Sequence, residues 1–327
     1  MSSQLPFWLE KFSTLVNQEK MHHAFLISGK KGVGKTILAK HLSMLTLCTK
    51  GDFSLCGTCG SCKLSTLHNH PDFHELRILP DKKLVGISQI HELRNKLYES
   101  PFLGKNKVAY LENLEKFSTD GLNAVLKILE EPPSNTFFFL TSHFYEQIPQ
   151  TIRSRCFDLK ISTPSIEDSL NLLSDYPKKD ALKALQLNNG SPLAALEFLE
   201  KGLLKIREDF IKEISGIIKE GRDIISISEN WIDADESLNI KIEWMSCILS
   251  DAVRFNADQS IKHLNSDTDN ISKYLGSNSK IEKIHELLGK TNALWNLFSR
   301  DTNLRKDYQL NSLFVDWERG LGISKKT

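Results

Sequence analysis

The chain has 327 residues, 40% hydrophobic and 25% charged, the balance of an ordinary globular protein. Lys and Arg nearly cancel Asp and Glu, leaving a net charge of +1, which argues against a protein that holds nucleic acid alone on a broadly basic surface. The length favours two or three domains over a single core. No run of about 18 apolar residues offers a membrane-spanning helix. Residues 1–20, with Glu10 and Lys11 among the apolar positions, lack the pattern of a signal peptide, and a cytoplasmic location is expected.

Pro6 opens a predicted helix with an apolar stripe of Trp8, Leu9, Phe12, Leu15 and Val16. Residues 24–28 read as a short buried strand, and residues 36–47 as a helix with Ile37, Leu38, Leu42 and Leu45 on its apolar side. Between them, Gly29-Lys30-Lys31-Gly32-Val33-Gly34-Lys35-Thr36 matches G-x-x-x-x-G-K-[ST] in full. In this setting backbone N–H groups can turn inward around phosphate oxygens, and the helix directs its positive end at the anion. Lys35 would neutralise the β/γ phosphates and the Thr36 hydroxyl would join Mg²⁺. The competing reading is a glycine turn without a ligand.

Cys48, Cys56, Cys59 and Cys62 follow as C-x7-C-x2-C-x2-C, with Gly57, Thr58, Gly60 and Ser61 between the last three. In a chain without an export signal such crowding points to metal rather than disulfides. Four thiolates on short loops suit a closed, structural Zn²⁺ site. An iron–sulfur cluster and a redox pair are the alternatives. His68, His70 and His74 lie close by, but four cysteines already complete the shell, so these read as ordinary loop and strand histidines. Cys156 and Cys247 read as packing residues.

Further strands are predicted over 73–78, 108–111 and 137–141, alternating with amphipathic helices marked by Ile87, Ile90, Leu93 and Leu97 and by Leu122, Val125, Leu126 and Leu129. Strands alternating with helices imply a parallel α/β sheet over roughly the first 160 residues. Beyond Thr163-Pro164 the periodicity is helical. Gly190-Ser191-Pro192 punctuates a small helical segment, long amphipathic stretches follow from 208, and residues 258–280 read as a loose polar connection. Lys82, Lys83, Arg94, Lys105 and Lys107 could meet DNA phosphate or simply form a solvated face.

Three further segments carry a family resemblance: Leu126-Lys127-Ile128-Leu129-Glu130-Glu131-Pro132-Pro133, Arg153-Ser154-Arg155-Cys156 about twenty residues on, and Gly190-Ser191-Pro192-Leu193-Ala194-Ala195. With the phosphate loop and the cysteines, they make the chain resemble the delta-prime subunits of the bacterial DNA polymerase III clamp loader. The resemblance implies an AAA+ α/β P-loop domain (1–163, a parallel sheet with flanking helices and a zinc module inserted at 48–62). A small helical lid (164–207) and an all-α C-terminal collar (208–327) would follow. It implies a subunit that helps load the sliding clamp onto primed DNA, in a hetero-oligomeric ring with gamma/tau and delta subunits. Arg155 would be an arginine finger in trans, stabilising charge on phosphate held by a neighbour, worth roughly 10³–10⁵ in rate. An interface salt bridge is the plainer role for that arginine.

Active members of this superfamily show Asp-Glu after the third strand; this chain has Glu112-Asn113. Glu112 can still lie near Mg²⁺, but Asn113 cannot accept a proton from water, a loss of about 10²–10⁴ in rate. Glu115 is expected to point elsewhere. Pro192 and Leu193 stand where active subunits carry a phosphate-sensing arginine. The expectation is a subunit that binds ATP/Mg²⁺ at most and turns it over slowly or not at all. An active gamma/tau-type ATPase and a zinc-bearing adaptor with a vestigial nucleotide site are the alternatives.

Overall fold

The computed structural model describes residues 6–13, 22–50, 55–79, 82–220, 224–233, 235–258, 265–298 and 305–320. The chain divides into two compact units, Met1–Glu197 and Phe198–Thr327. Among the described residues no helix is long and apolar enough to cross a membrane.

The first unit is built on five parallel strands in the order β2-β3-β4-β1-β5. They are β1 (Ala24–Ser28), β2 (Phe73–Leu76), β3 (Lys107–Leu111), β4 (Thr136–Ser142) and β5 (Phe157–Lys160). The three central strands are apolar almost throughout because helices cover both faces of the sheet. Side-chain alternation then divides one sequence between two cores. Leu26, Ala109, Leu111, Phe138 and Leu140 pack with Ile90, Leu93 and Leu97 of α4 (Ile87–Tyr98) and Val125, Ile128 and Leu129 of α5 (Thr119–Glu130). Phe25, Ile27, Val108, Tyr110 and Phe139 pack with Leu9 of α1 (Phe7–Ser13) and Leu38, Leu42 and Leu45 of α2 (Lys35–Leu47). The expected helix residues Leu15 and Val16 lie outside the described residues.

The fifth strand has no apolar run to announce it. Its sequence is Phe-Asp-Leu-Lys, an edge strand that buries only Leu159. It is identified by pairing with β1, Phe25 opposite Phe157. This region also holds α6 (Gln150–Arg153) before β5, then α7 (Ile166–Leu172) and α8 (Lys178–Leu187). A ninth helix, α9 (Pro192–Glu200), and the cysteine-bearing α3 (Gly60–Thr66) are described with the site.

The second unit is helical: α10 (Leu203–Glu220), α11 (Ile224–Asp233), α12 (Asp235–Ala257), α13 (Asp269–Asn278), α14 (Ile281–Phe298) and α15 (Lys306–Gly320). Phe210 lies 5.6 Å from Trp231 and 5.3 Å from Trp244, and Trp231 lies 5.1 Å from Phe314, forming one aromatic core. The segment expected as a loose connection instead holds α13. Its buried Ile271 and Leu275, four residues apart, make a helical contact face too short to stand out among polar neighbours.

Arg207 is buried and forks onto Asp267, Nε to Oδ2 at 2.7 Å and Nη2 to Oδ1 at 2.8 Å, with its guanidinium 5.0 Å from the Trp244 ring. Removing one partner of such a pair strands a buried charge. Asp267→Ala is therefore expected to destabilise this unit by about 3–5 kcal/mol in denaturant unfolding.

Candidate functional site

The phosphate-loop sequence leaves β1 beside β4, with Gly29 N–H donating to Ser142 O at 3.3 Å. Gly32 (φ +79°) and Gly34 (φ +100°) take left-handed backbone that side chains disfavour. A Cβ at 32 would lie 2.5 Å from that of Ala194, and one at 34 would lie 2.8 Å from Leu9 Cδ1. Trp8 Nε1–H donates to Val33 O at 3.1 Å, and Leu193 N–H donates to Gly32 O at 3.0 Å. The loop is thus flanked by α1 and by the first turn of α9.

Lys35 is buried, and its ammonium donates to Gly29 O and Lys30 O, each at 2.7 Å. Burial pulls its pKa down to about 8, with the Glu115 charge opposing the shift. Lys30 and Lys31 are exposed. The Thr36 hydroxyl accepts from Tyr110 O–H at 3.3 Å. Burial pushes that phenol up to about 12, so it remains a donor at neutral pH.

Glu112 follows β3, half-buried, with its N–H on Leu76 O. Asn113 adopts φ +54° and donates its N–H to the Thr141 hydroxyl at 3.0 Å. That left-handed residue turns the chain into a single 3₁₀ turn, Leu114–Lys116, and this reverses one expectation. Glu115 does not point away. It comes back to the end of β4, where Oε1 accepts from His143 N–H at 3.2 Å, one residue beyond the Ser142 that pairs with Ser28. Glu115 Oε2 and His143 Nδ1 are both buried, with no hydrogen bond among the described residues. Burial, then the Lys35 charge, lowers the His143 pKa.

Arg155 stands just after α6. Its neighbour Arg153 is fixed on Glu146 at 3.2 Å and over the Tyr145 ring at 4.8 Å, while Tyr145 O–H donates to Asp158. Arg155 Nη1–H donates to Thr151 O at 2.9 Å, and Nη2 meets Glu130 Oε1 at 2.7 Å. Its side chain remains 37% exposed. Cys156 packs against the sheet core, and burial pushes its thiol up to about 12, an inert packing residue.

The four cysteines converge. Their sulfurs all lie within 4.8 Å of one another, with Cys48 and Cys59 4.0 Å apart and Cys56 and Cys62 3.9 Å apart. Tetrahedral thiolates at ~2.3 Å from one ion stand about 3.8 Å from each other, so the donor set fits a single metal. Cys59 caps α3, its sulfur accepting from Cys62 N–H at 3.3 Å, and the Thr58 and Cys59 N–H groups hold the Cys56 thiol below its ordinary pKa. His70 is not needed as a ligand. Asp72 N–H donates to its Nδ1 at 3.1 Å, which leaves the proton on Nε2, 2.6 Å from Ser61 Oγ. Ser61 O–H in turn donates to Leu47 O at 2.6 Å. This buried chain ties the cysteine module to the end of α2 and the start of β2.

Residues 5–165 match the family described as "DNA polymerase III, delta subunit", and residues 201–319 match "DNA polymerase III, delta subunit, C terminal". The chain is 30% identical over 314 residues to DNA polymerase III subunit delta' of Buchnera aphidicola subsp. Schizaphis graminum, covering 95% of this chain and 94% of that one. The chain belongs to the delta' family of DNA polymerase III subunits. The Escherichia coli K12 delta' subunit is 30% identical over 254 residues, 75% of this chain and 74% of that one. A DNA polymerase III subunit gamma from the same Buchnera is 36% identical over 193 residues, 56% of this chain and 52% of that one. Among solved structures, a gamma subunit-related protein of Thermotoga maritima aligns at TM-score 0.48 and 17% identity, over 96% of this chain and 99% of that one.

Of the basic residues suggested for DNA in this delta' family member, Lys82, Lys83, Arg94 and Lys105 are exposed. Lys107 is not available. It is buried, and its ammonium donates to Leu97 O at 2.5 Å and Glu99 O at 2.6 Å, satisfying one carbonyl of the last turn of α4 and that of the residue capping it. Sequence reasoning also missed the Glu130 partner of Arg155 and the Ala194 contact of Gly32. Both are long-range contacts without a periodic signal.

Proposed function

We propose that this delta' subunit is a non-motor member of the clamp loader. In this reading residues 1–163 form the AAA+ domain, 164–207 its lid and 208–327 a collar in a ring with gamma/tau and delta subunits. The subunit places Arg155 at a neighbour's ATP site and helps open the sliding clamp for loading on primed DNA. A structural Zn²⁺ held by Cys48, Cys56, Cys59 and Cys62 fixes the module beside α2, where it supplies a closed cross-link and no reactive position.

The observation that carries this reading is a contrast within one domain. Arg155 is presented at the surface, while the chain's own phosphate loop is satisfied internally, with Lys35 on loop carbonyls and Leu193 on Gly32. Asn113, at the position of the missing base, supports weak or absent hydrolysis. Residues 29–36 and Glu112 still offer the groups for ATP/Mg²⁺, provided Lys35 turns outward. A gamma/tau-type ATPase is the second reading, favoured by the complete loop and by the Glu115 carboxylate at the end of β4.

ATP binding and turnover by the isolated chain separate these readings. Binding without turnover fits the first, multiple turnover the second, and no binding leaves an adaptor with a vestigial site. Any binding is expected to depend on Lys35 and to weaken as pH rises through about 8, because the ammonium loses its proton there in the empty loop. The stability sign is opposite to that of a stabilised cation. The folded pKa lies below the unfolded value of 10.5, so Lys35 opposes folding below about pH 8 and this penalty is relieved between about pH 8 and 10.5.

A further inference from the structure

Arg155 and Glu130 belong to two separate motifs, and the fold brings them into a 2.7 Å ion pair. We propose that Glu130 is a positioning residue that presets the Arg155 guanidinium for the neighbouring subunit's ATP site. This inference rests on the reading of Arg155 as a finger.

The need for a positioning group is physical. Arg155 follows a helix of only four residues and is more than a third exposed, so its long side chain would otherwise sample many rotamers. Two anchors from different elements restrict it: Thr151 O on its own turn accepts from Nη1–H, and the Glu130 carboxylate forms an ion pair with Nη2. Glu130 is itself firmly held. Ile128 and Leu129, just before it, are buried in the sheet core; Leu129 O is bonded by the His23 ring at 3.2 Å; and Glu131 N–H closes the helix on Lys127 O. A weaker contact of Nη1 with Ser154 Oγ at 3.4 Å uses a further proton. Nε–H then remains without a hydrogen-bond partner among the described residues, and together with Nη2 it is the part of the fork that can meet a phosphoryl oxygen.

A half-exposed pair of this kind adds little to folding, so its loss should be read in catalysis rather than stability. The ordering cost of one long side chain corresponds to about 2- to 10-fold in rate. The test uses the full reconstituted clamp-loader complex with Glu130→Ala, Glu130→Gln, Arg155→Ala and the Glu130→Ala/Arg155→Ala pair, measuring DNA-stimulated ATPase and assembly by gel filtration.

Glu130→Ala is expected to lower kcat about 2- to 10-fold with KM and assembly unchanged. Glu130→Gln, which keeps an acceptor, should fall between it and wild type. In the double variant the Glu130 substitution should have no further effect. Wild-type or raised kcat in Glu130→Ala overturns the inference, as does a loss that multiplies with that of Arg155→Ala, because Glu130 would then act on something else. In those cases the finger reading stands if Arg155→Ala alone impairs turnover. Intact turnover in Arg155→Ala, with the complex assembled, removes both.

Discussion

Arg155→Ala is expected to leave the reconstituted clamp loader assembled while reducing DNA-stimulated hydrolysis at the site it faces by about 10³-fold or more. The expected size follows from the chemistry. In phosphoryl transfer the protein contributes position and charge, and an arginine entering from a neighbour neutralises charge that develops only in the transition state. Assembly should survive because the ion pair with Glu130 is half-exposed and adds little to stability. Arg155→Lys keeps the charge but not the planar fork and should restore only part of the rate. Where other subunits carry sites of their own, total ATPase will fall less than the single-site figure, and pre-steady-state measurement of the first turnover resolves the affected one. A complex that hydrolyses ATP normally without this guanidinium would reduce Arg155 to an interface contact.

Purified chain that has never met a chelator is expected to carry about one Zn per molecule, and Cys62→Ser to carry none. Structural zinc contributes an apparent ~10–16 kcal/mol in small metal-folded peptides. A single buried hydrogen bond such as Ser61–Leu47 contributes about 1 kcal/mol. A metal bound to the four cysteines would therefore outweigh the Ser61–His70 chain in ordering this module. Loss of metal should open amide exchange across residues 55–66 while much of the sheet remains, because neither sheet core includes the four cysteines. Visible absorbance with iron in place of zinc would replace the ion, and a metal-free native chain would discard the site.

Much of this organisation was legible in the sequence because it rests on local signals. The phosphate loop and the cysteine spacing are contiguous, and β1, β3 and β4 are apolar runs bounded by turns. What escaped lies in contacts between distant segments. β5 buries one side chain and is defined by its neighbour. α13 hides a two-residue contact face in polar sequence. The course of Glu115 depends on Asn113 adopting a left-handed backbone, which no periodicity encodes. Lys107 looked like any surface lysine until the end of α4 was placed over it.

The glycines of the loop have two masters. Gly32 leaves room for Ala194, and Gly34 leaves room for Leu9, whether or not a phosphate is ever present. Positions 32 and 194 thus form a single volume constraint: a side chain at the first is incompatible with anything as large as alanine at the second. A subunit relieved of ATP turnover would still be obliged to keep Gly32 merely to close its own domain, whereas at position 34 the end of the Leu9 side chain can give way. The intact motif is therefore weaker testimony to nucleotide use than its spelling suggests. Of the eight residues, Lys35 and Thr36 are the ones whose substitution separates a working cradle from a packing joint.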